Sequence, residues 1–335
     1  MSEIQRRKRP TMVDVARVAG VALRTVSRVV NEDPTVGAEL AERVHAAIAE
    51  LDYAPDERAR ELRRGASGII GAAVRNLSDG HPVLGAIDLA SREHKMTVLA
   101  MSTDDDERRE RATVMSMCGR RVDGIIVEPI GSAHQYLEPE IESGMPIVAF
   151  DRPAGGVATD TVLADNALAM GMAYRHLTLH GHRRIAYIGD HDRIYTGGER
   201  AAAFRACTTA NGNPVDGMVH TGEIEPGRIA EALATVLGGD QPATALIAGN
   251  RQTTVEVLRQ IGANATRLAM VGFDDFALAD LLRPGVTVIA QDSATIGRTA
   301  VELLLARSAD PTRPVRTVTV PVSLIPRGSG ELAPE

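Results

Sequence analysis

The hydrophobic pattern divides the chain into two regions of different character. Between residues 11 and 31 the apolar positions recur every three or four residues, which predicts short amphipathic helices. From residue 68 onward, short apolar runs alternate with amphipathic stretches: the run 68–74 is followed by the stretch 83–92 and then by the run 96–101. This alternation of strand and helix is typical of parallel sheets that are covered by helices on both faces.

The alternation continues almost to the C-terminal end. Further apolar runs occupy residues 122–128, 147–151, 185–189, 244–249, 268–273 and 286–290, and the strand-like stretch T-V-T-V-P-V-S-L begins at Thr317. We therefore expect about ten strands, which is too many for one small sheet but suits two doubly wound lobes. The length of 335 residues also fits two or three domains.

The first short helix is predicted to begin after Thr11. Thr11 and Asp14 have the spacing of a capping box, in which each side chain bonds to the backbone N–H of the other residue. The apolar residues that would form the inner face of this helix are Val15, Ala16 and Ala19.

A second helix is predicted after a turn at Gly20. The residues with the i, i+3, i+4 spacing of its inward face are Val26, Val29 and Val30. Arg24 and Arg28, four residues apart, would then share the outward face. This is the helix-turn-helix arrangement, in which arginines of the second helix can read guanine in the major groove. The spacing alone is explained equally well by a solvated helix face.

Charge is distributed unevenly along the chain. The formal net charge of −7 argues against a nucleic-acid partner for the chain as a whole. The first 30 residues, however, hold seven Lys or Arg and two acidic residues, so they carry a net charge of +5 and leave −12 for the remainder. Only the N-terminal region is therefore suited to bind nucleic acid.

Composition indicates an ordinary cytoplasmic protein. Cys118 and Cys207, the two cysteines, each fall in a helical pattern, so a disulfide framework is not expected and a reducing compartment fits. No apolar run approaches the roughly 18 residues of a membrane helix, and no apolar segment follows the N-terminal basic cluster. We expect neither export nor membrane insertion.

The segment from Thr11 to Asn31 resembles the LacI/GalR repressor family, since it fits the family signature T-x-x-D-V-A-x-x-A-G-V-x-x-x-T-V-S-R-V-x-N. The likeness continues through Val36, Arg43, Val44, residues 47–53, Pro55, Ala59 and Leu62. It implies an all-α helix-turn-helix head at residues 1–54 with a third helix, and a hinge helix or linker at 55–66. Residues 67–335 would form a two-lobed α/β body, similar to periplasmic binding proteins, that binds an effector and dimerises.

The resemblance also implies which residues contact DNA. Those expected to serve phosphates are Thr11, Ser27 and Asn31, and those expected to face bases are Leu23, Arg24 and Arg28. Thr25 belongs to the same DNA-binding set. In the hinge, Ala59 and Leu62 would contact DNA when the segment folds against its twin, with Leu62 wedged into a minor-groove step.

Some positions depart from the family pattern. Ala22 and Gly37 stand where serine is usual, which predicts weaker N-caps for the second and third helices. Leu40, Ala41 and Asp56 replace the usual Thr, Arg and Asn, so phosphate-facing hydrogen bonds are lost and one carboxylate is added. These changes leave open a regulator that responds to a partner protein rather than to a metabolite.

Candidate ligand-binding residues follow the apolar runs of the body, because ligands of open α/β lobes bind at the carboxyl ends of the strands. The polar residues at these places are Asp151, Arg152, Asp190, Asn250, Arg251, Asp274 and Asp275. The family resemblance adds Arg200 at a helix start and implies that Arg200, Asn250 and Asp274 bind a polyol. By position alone, each aspartate could instead end a strand or cap a helix. The predicted effector-binding set is Asp151, Arg152, Arg200, Asn250 and Asp274.

Arg251 leaves the chemistry of the ligand open. The family commonly has aspartate at this position, so the local charge changes by about two units and an anionic ligand becomes plausible. Alternatively, Arg251 forms an internal salt bridge with Asp274 or Asp275. The expected effector class is a sugar, a sugar phosphate or acid, or a nucleoside.

These features favour a DNA-binding repressor that is controlled by an effector. No heptad extension follows the last predicted strand, so we expect a homodimer on a palindromic operator in double-stranded DNA. The alternative is a cytoplasmic solute-binding or sugar-processing protein on the same fold. The sequence contains no nucleophile elbow, Walker loop or metal-spaced cluster: His176, His180 and His182 have i, i+4 and i+6 spacing. The family resemblance implies that Gly181 and His182 belong to a structural turn. No catalysis, cofactor or metal is therefore expected.

Overall fold

The structure is a computed structural model that describes residues 10–31, 33–53, 66–77, 81–213, 217–262 and 268–334. The chain divides into two compact units, residues 1–67 and residues 68–335. Residues 55–65 of the predicted hinge, with Ala59 and Leu62, lie outside the described residues.

Within its described residues, the smaller unit contains three helices, α1 (Met12–Ala19), α2 (Leu23–Val30) and α3 (Ala38–Leu51). They enclose one core, at whose centre Val15, Val26 and Val44 have no exposed surface. Val15 and Val26 come from the two apolar faces that the sequence predicts, so the helix-turn-helix arrangement is confirmed.

The ends of these helices follow from local chemistry. The N–H of Thr11 donates to Asp14 Oδ2 at 2.9 Å and the N–H of Asp14 donates to Thr11 Oγ1 at 3.4 Å, which is the predicted capping box. Gly20 ends α1 in the left-handed region with φ of 64°. Ala22 and Gly37 begin α2 and α3 without a side-chain hydrogen bond, so the expected weak caps are present.

The larger unit contains twelve strands within its described residues. They are β1 (Ile69–Val74), β2 (Thr97–Ser102), β3 (Gly124–Val127), β4 (Ile147–Phe150), β5 (Asp160–Ala164), β6 (Ile185–Gly189), β7 (Val219–Thr221), β8 (Ala245–Ala248), β9 (Ala269–Phe273), β10 (Thr287–Gln291), β11 (Thr317–Val320) and β12 (Val322–Ile325). The helices are α4 (Pro82–Glu93), α5 (Glu107–Gly119), α6 (Glu138–Glu142), α7 (Asn166–Leu179), α8 (Tyr195–Ala210), α9 (Pro226–Leu237), α10 (Arg251–Ile261) and α11 (Ser293–Ala309).

The strands form two six-stranded sheets. The first has the order β11-β5-β4-β3-β1-β2 and is parallel throughout. The second has the order β12-β10-β9-β8-β6-β7 and is parallel except for β12, which runs antiparallel to β10. The prediction of two doubly wound lobes is confirmed.

Both faces of each sheet are buried, which explains why the strands read as continuous apolar runs. In β3, Ile125 and Val127 join the core on one face while Ile126 joins the core on the other. In β8, Ile247 and Leu246 are divided in the same way between two cores. Each lobe is therefore a sheet between two layers of helices.

The strand count exceeds the expected ten because two of the strands do not appear as apolar runs in the sequence. β5 begins with the polar residue Asp160, whose carboxylate is paired with Arg307 at 2.8 Å. The strand therefore does not look apolar at its start. β7 is a three-residue strand at the edge of its sheet. Pro321 separates β11 and β12, which belong to different sheets.

The chain passes between the lobes three times. It crosses after β5 at Asp165, after β10 at Asp292, and between β11 and β12 at Pro321. Asp165 and Asp292 accept hydrogen bonds from the first turns of α7 and α11, so the first two crossings run directly into capped helices. Gly297 allows α11 to pack closely on α4, because a Cβ at this position would lie 2.6 Å from Ala86 Cβ.

Membrane insertion was not expected from the sequence. Across the described part of the chain, every helix is too short or too polar to span a bilayer.

Candidate functional site

The outward face of α2 presents the residues predicted to read bases. Leu23 and Arg24 are exposed at the start of the helix, and Arg24 forms no ion pair with a described residue. Arg28 is held by the loop that follows: its Nε donates to Asp33 Oδ2 at 2.9 Å, and its guanidinium also contacts the Thr35 hydroxyl. Hydrogen bonds from Thr35 and Arg28 hold the pKa of Asp33 below its usual range. Arg28 is therefore pre-positioned, whereas Arg24 is not.

The residues predicted to serve phosphates lie at the helix ends. Thr11 Oγ1 donates to Asp14 Oδ2 at 2.7 Å within the capping box of α1. Asn31 ends α2, where its Nδ2 donates to the carbonyl of Ser27 at 2.7 Å. Ser27 and Thr25 are half-buried on α2. The side chains of Thr11 and Asn31 thus stabilise the start of α1 and the end of α2.

A cavity of about 200 Å³ lies between the two sheets of the body. Six of the residues that line it lie within two residues of a strand end: Arg75, Glu128 and Asp151 in the first lobe, and Asp190, Asn250 and Asp274 in the second. The carboxyl ends of both parallel sheets thus face one cleft, which is where such folds bind ligands.

A network of charges closes the first-lobe side of the cleft. Arg152 is buried and donates from Nε and Nη2 to Asp151 Oδ2 at 3.2 Å each, while Nη2 lies 4.0 Å from Glu128. His81 Nε2 is 3.3 Å from the other Glu128 oxygen. Burial tends to raise the pKa of Asp151, but the charges of Arg152, Arg200 and Arg75 outweigh it and the pKa is lowered. Arg152 does not line the cavity; it holds Asp151 in place.

Arg200 occupies the second-lobe wall and is buried. Its Nε donates to Asn166 Oδ1 at 2.7 Å and its Nη1 donates to the Gly249 carbonyl at 2.8 Å. The guanidinium carbon lies 3.5 Å from the centre of the Phe273 ring, so a cation–π contact supports the flat face. These contacts fix the side chain before any ligand arrives.

Asn250 and Asp274 complete that wall. Asn250 caps α10 through a 2.7 Å bond from the Thr253 N–H to Oδ1, and its Nδ2 donates to Asp190. Asp274 lies in the left-handed region with φ of 65°, and Oδ1 accepts a 2.6 Å bond from Gln291 Nε2. Burial raises the pKa of Asp274, against the opposing charge of Arg200 and the hydrogen bond from Gln291.

Of the two alternatives for Arg251, the internal salt bridge with Asp274 or Asp275 is not formed. Asp275 pairs instead with Arg327, at 2.6 and 2.8 Å to its two carboxylate oxygens, and Asp274 bonds to Gln291. Arg251 lines the cavity at the start of α10, and its buried Nε has no hydrogen-bond partner among the described residues.

The polar cavity-lining residues that the sequence reasoning missed include Arg75, His81, Glu128 and Gln291. Glu128 and Gln291 end or follow apolar strands, so the strand-end rule could have found both. His81 is the N-cap of α4, and its Nδ1 accepts from the Leu84 N–H at 3.3 Å. No sequence signal points to it beyond its position before Pro82.

The histidines at 176, 180 and 182 each have a protein partner. His182 is buried between the Thr244 hydroxyl at 2.9 Å and the Leu332 carbonyl at 2.8 Å, and His176 Nε2 is 2.6 Å from Glu331. No group of three potential metal ligands occurs in the described ranges.

Comparison with known proteins decides the family. Residues 11–56 match the bacterial regulatory proteins of the lacI family, and residues 174–330 match the periplasmic binding protein-like domain. The transcriptional regulator PtxS of Pseudomonas plecoglossicida is 32% identical over 333 residues, which cover 97% of each chain. The chain belongs to the lacI family of bacterial regulatory proteins. The resemblance seen in the N-terminal signature is therefore confirmed.

Other members of the lacI family match over nearly the whole length. The ribose operon repressor of Escherichia coli strain K12 is 29% identical over 332 residues, covering 95% of this chain and 99% of the repressor. The structure is similar to that of the lac repressor dimer bound to operator and the anti-inducer ONPF, with a TM-score of 0.83, 25% identity and coverage of 96% and 99%. It also resembles the complex of the transcriptional regulator CelR with cellobiose, with a TM-score of 0.70, 25% identity and coverage of 96% and 100%.

Proposed function

We propose that the protein is a sequence-specific DNA-binding transcriptional repressor that is controlled by a small sugar-like effector bound between its lobes. The observation that carries this proposal is the joining, in one lacI-family chain, of a helix-turn-helix unit to a two-lobed body with a polar cleft. The regulator PtxS and the ribose operon repressor support regulation rather than catalysis. Because a bacterial regulator binds DNA in the cytoplasm, this function would also place the protein there.

The head is proposed to read DNA through α2. The contacts with bases would come from Leu23, Arg24 and Arg28, and those with phosphates from Thr11, Thr25, Ser27 and Asn31. Arg28 is supported by its fixed geometry, because an arginine held by a neighbouring carboxylate loses less rotamer freedom when it binds. Ala59 and Leu62 in the hinge segment 55–66 would add minor-groove contacts.

The cleft is proposed to bind hydroxyl groups. Arg200, Asn250 and Asp274 present a guanidinium, an amide and a carboxyl group, each of which can engage vicinal hydroxyls. Asp151 would act from the opposite lobe, and Arg152 would orient Asp151 without touching the effector. The structurally similar regulator CelR forms a complex with cellobiose, which supports a sugar-type effector.

We further propose that two copies act as a homodimer on a palindromic operator. The similar lac repressor structure is a dimer bound to operator. In this chain one loop of the second lobe exposes three leucines, Leu278, Leu281 and Leu282, at 62%, 65% and 38%. A second copy would cover this apolar surface, and twofold symmetry would place the two heads on inverted half-sites.

Selection of binding sites from a random duplex pool tests the proposed function. Repeated capture by the full-length protein should enrich an inverted repeat, because a twofold dimer places the same recognition helix on each half-site. Affinity for the enriched duplex should fall steeply with rising salt, whereas a scrambled duplex should bind weakly throughout. A pool that stays random after selection would contradict DNA recognition, and an enriched site without a repeat would contradict the dimer.

A further inference from the structure

Among the described residues, three arginines line the cleft, and two of them are occupied by protein partners. Arg75 Nε donates to Asp105 Oδ1 at 2.9 Å, and a second guanidinium nitrogen reaches the other Asp105 oxygen. Arg200 donates to Asn166 and to the Gly249 carbonyl. Arg251 forms no hydrogen bond or ion pair with any residue that the structure describes, although its Nε is buried. Within the described part of the cleft, Arg251 is therefore the uncommitted cation.

The described carboxylates of the cleft form no ion pair with Arg251. Glu128 and Asp151 face Arg152 and His81 in the first lobe. In the second lobe Asp190 accepts from Asn250, and Asp274 accepts from Gln291. Each of these four described carboxylates has its own partner, and none lies within 4.0 Å of the Arg251 guanidinium. Asp274 and Asp275 still interact with Arg251 at longer range, but its hydrogen-bond donors remain available.

The backbone adds to the positive potential around Arg251. Arg251 is the first residue of the eleven-residue helix α10, whose N-terminus carries partial positive charge. Three other helices of the body begin at the same cavity, which is lined by Pro82 of α4, Thr196 of α8 and Ser293 of α11. Four helix N-termini thus surround the space that Arg251 borders, and such a place favours an anion.

We infer that the effector is a sugar acid, a polyhydroxy carboxylate with a single negative charge. Its carboxylate would bind Arg251 at the start of α10, while Arg200, Asn250 and Asp274 hold its hydroxyls. A guanidinium matches a carboxylate with two parallel hydrogen bonds. A phosphate group carries roughly −1.5 to −2 at neutral pH and would meet one free cation, with Asp190 and Asp274 nearby. This inference rests on the proposed effector role of the cleft.

Isothermal titration of the full-length protein with matched compounds tests it. The probes are D-gluconate, D-galactonate and D-ribonate, each beside its neutral sugar, together with D-glucose 6-phosphate. At least one acid should bind, and its neutral sugar should bind at least tenfold more weakly. Arg251→Gln should weaken the acid by about ten- to a hundredfold, because a charge-assisted pair is lost, while Arg251→Lys should retain part of the affinity.

A matched control lies on the same helix. Arg259 has a 73% exposed side chain, so Arg259→Gln removes the same charge from α10 without touching the cleft and should leave the acid's affinity unchanged. Melting curves of each variant establish that it is folded, and Arg251→Lys keeps the test decisive if Arg251→Gln is unstable.

The results that would overturn the sugar-acid inference differ from those that would contradict the proposed function. The inference is overturned if a neutral sugar binds as tightly as its acid, if the 6-phosphate binds more tightly, or if Arg251→Gln has no effect. Binding of no acid in the series also counts against it. Selection of a DNA site is a separate measurement from sugar-acid binding, so the regulator proposal stands or falls on that result.

Discussion

Replacing Arg28 by alanine is expected to weaken binding to the selected operator by about a hundredfold or more. A bidentate arginine–guanine contact is worth roughly 1–3 kcal/mol, and a twofold dimer loses one contact in each half-site. Asp33 holds the Arg28 guanidinium at 2.9 Å, so the wild-type side chain is ordered before it meets DNA. The preference of the protein for one base over the others should also weaken at one base pair of each half-site. Fluorescence anisotropy with the operator and with point-substituted duplexes measures both effects.

Arg17→Ala is the matched control in the same unit. Arg17 has a 73% exposed side chain on α1 and pairs with Asp14 at 3.3 Å, so its loss removes the same charge without removing a residue of α2. Affinity should fall less, and by a similar factor for every sequence, since only the nonspecific attraction changes. Equal losses for both variants, with unchanged base preference, would mean that Arg28 acts through charge alone and does not read bases.

Replacing Asp274 by asparagine is expected to stabilise the body while it abolishes the response to ligand. Burial raises the pKa of Asp274, so the native state binds this proton more tightly than the unfolded chain does. The resulting contribution to stability is present at low pH and is lost as the pH rises, and at neutral pH the buried carboxylate is unfavourable. Asparagine removes that charge and keeps an acceptor for Gln291. We expect a gain on the order of 1 kcal/mol at pH 7 that shrinks toward pH 4.

Asp275→Asn is the control at the neighbouring residue, and its expected effect on stability has the opposite sign. The hydrogen bond from Arg327 lowers the pKa of Asp275, so its contribution to stability is present above the unfolded pKa and is lost as the pH falls. Its amide variant should therefore melt at a lower temperature at pH 7. The ligand that raises the melting point of the wild type should still do so in Asp275→Asn but not in Asp274→Asn. If Asp274→Asn melts lower than the wild type or keeps the ligand response, its assigned role is wrong.

Local sequence signals predicted most of the fold because the relevant physics is local. The spacing of Thr11 and Asp14 fixes the start of α1, and Gly20 fixes its end. The apolar runs identify strands because both faces of each sheet are buried. The position of Asp151 and Asp274 after such runs predicted that they face one cleft, since all strands of a parallel sheet end at the same edge.

The contacts that could not be predicted join residues far apart in the chain. Asp275 pairs with Arg327, across 52 residues, so Arg251 forms an ion pair with neither Asp274 nor Asp275 although the sequence allows either pairing. Arg152 follows Asp151 directly, and the strand-end rule therefore predicts a ligand contact, but its guanidinium turns back onto Asp151. Such choices depend on which side chains the packed lobes bring together, and spacing along the sequence does not encode them.

The central claim is that the cleft controls the head, and one measurement tests it directly. The dissociation constant for the selected operator is measured by fluorescence anisotropy without ligand and at a saturating concentration of the acid that binds the cleft. We expect the dissociation constant to change by about 5- to 150-fold, the usual range of allosteric coupling, and to stay unchanged in Asp274→Asn. An operator affinity that is identical with and without bound ligand would contradict the account.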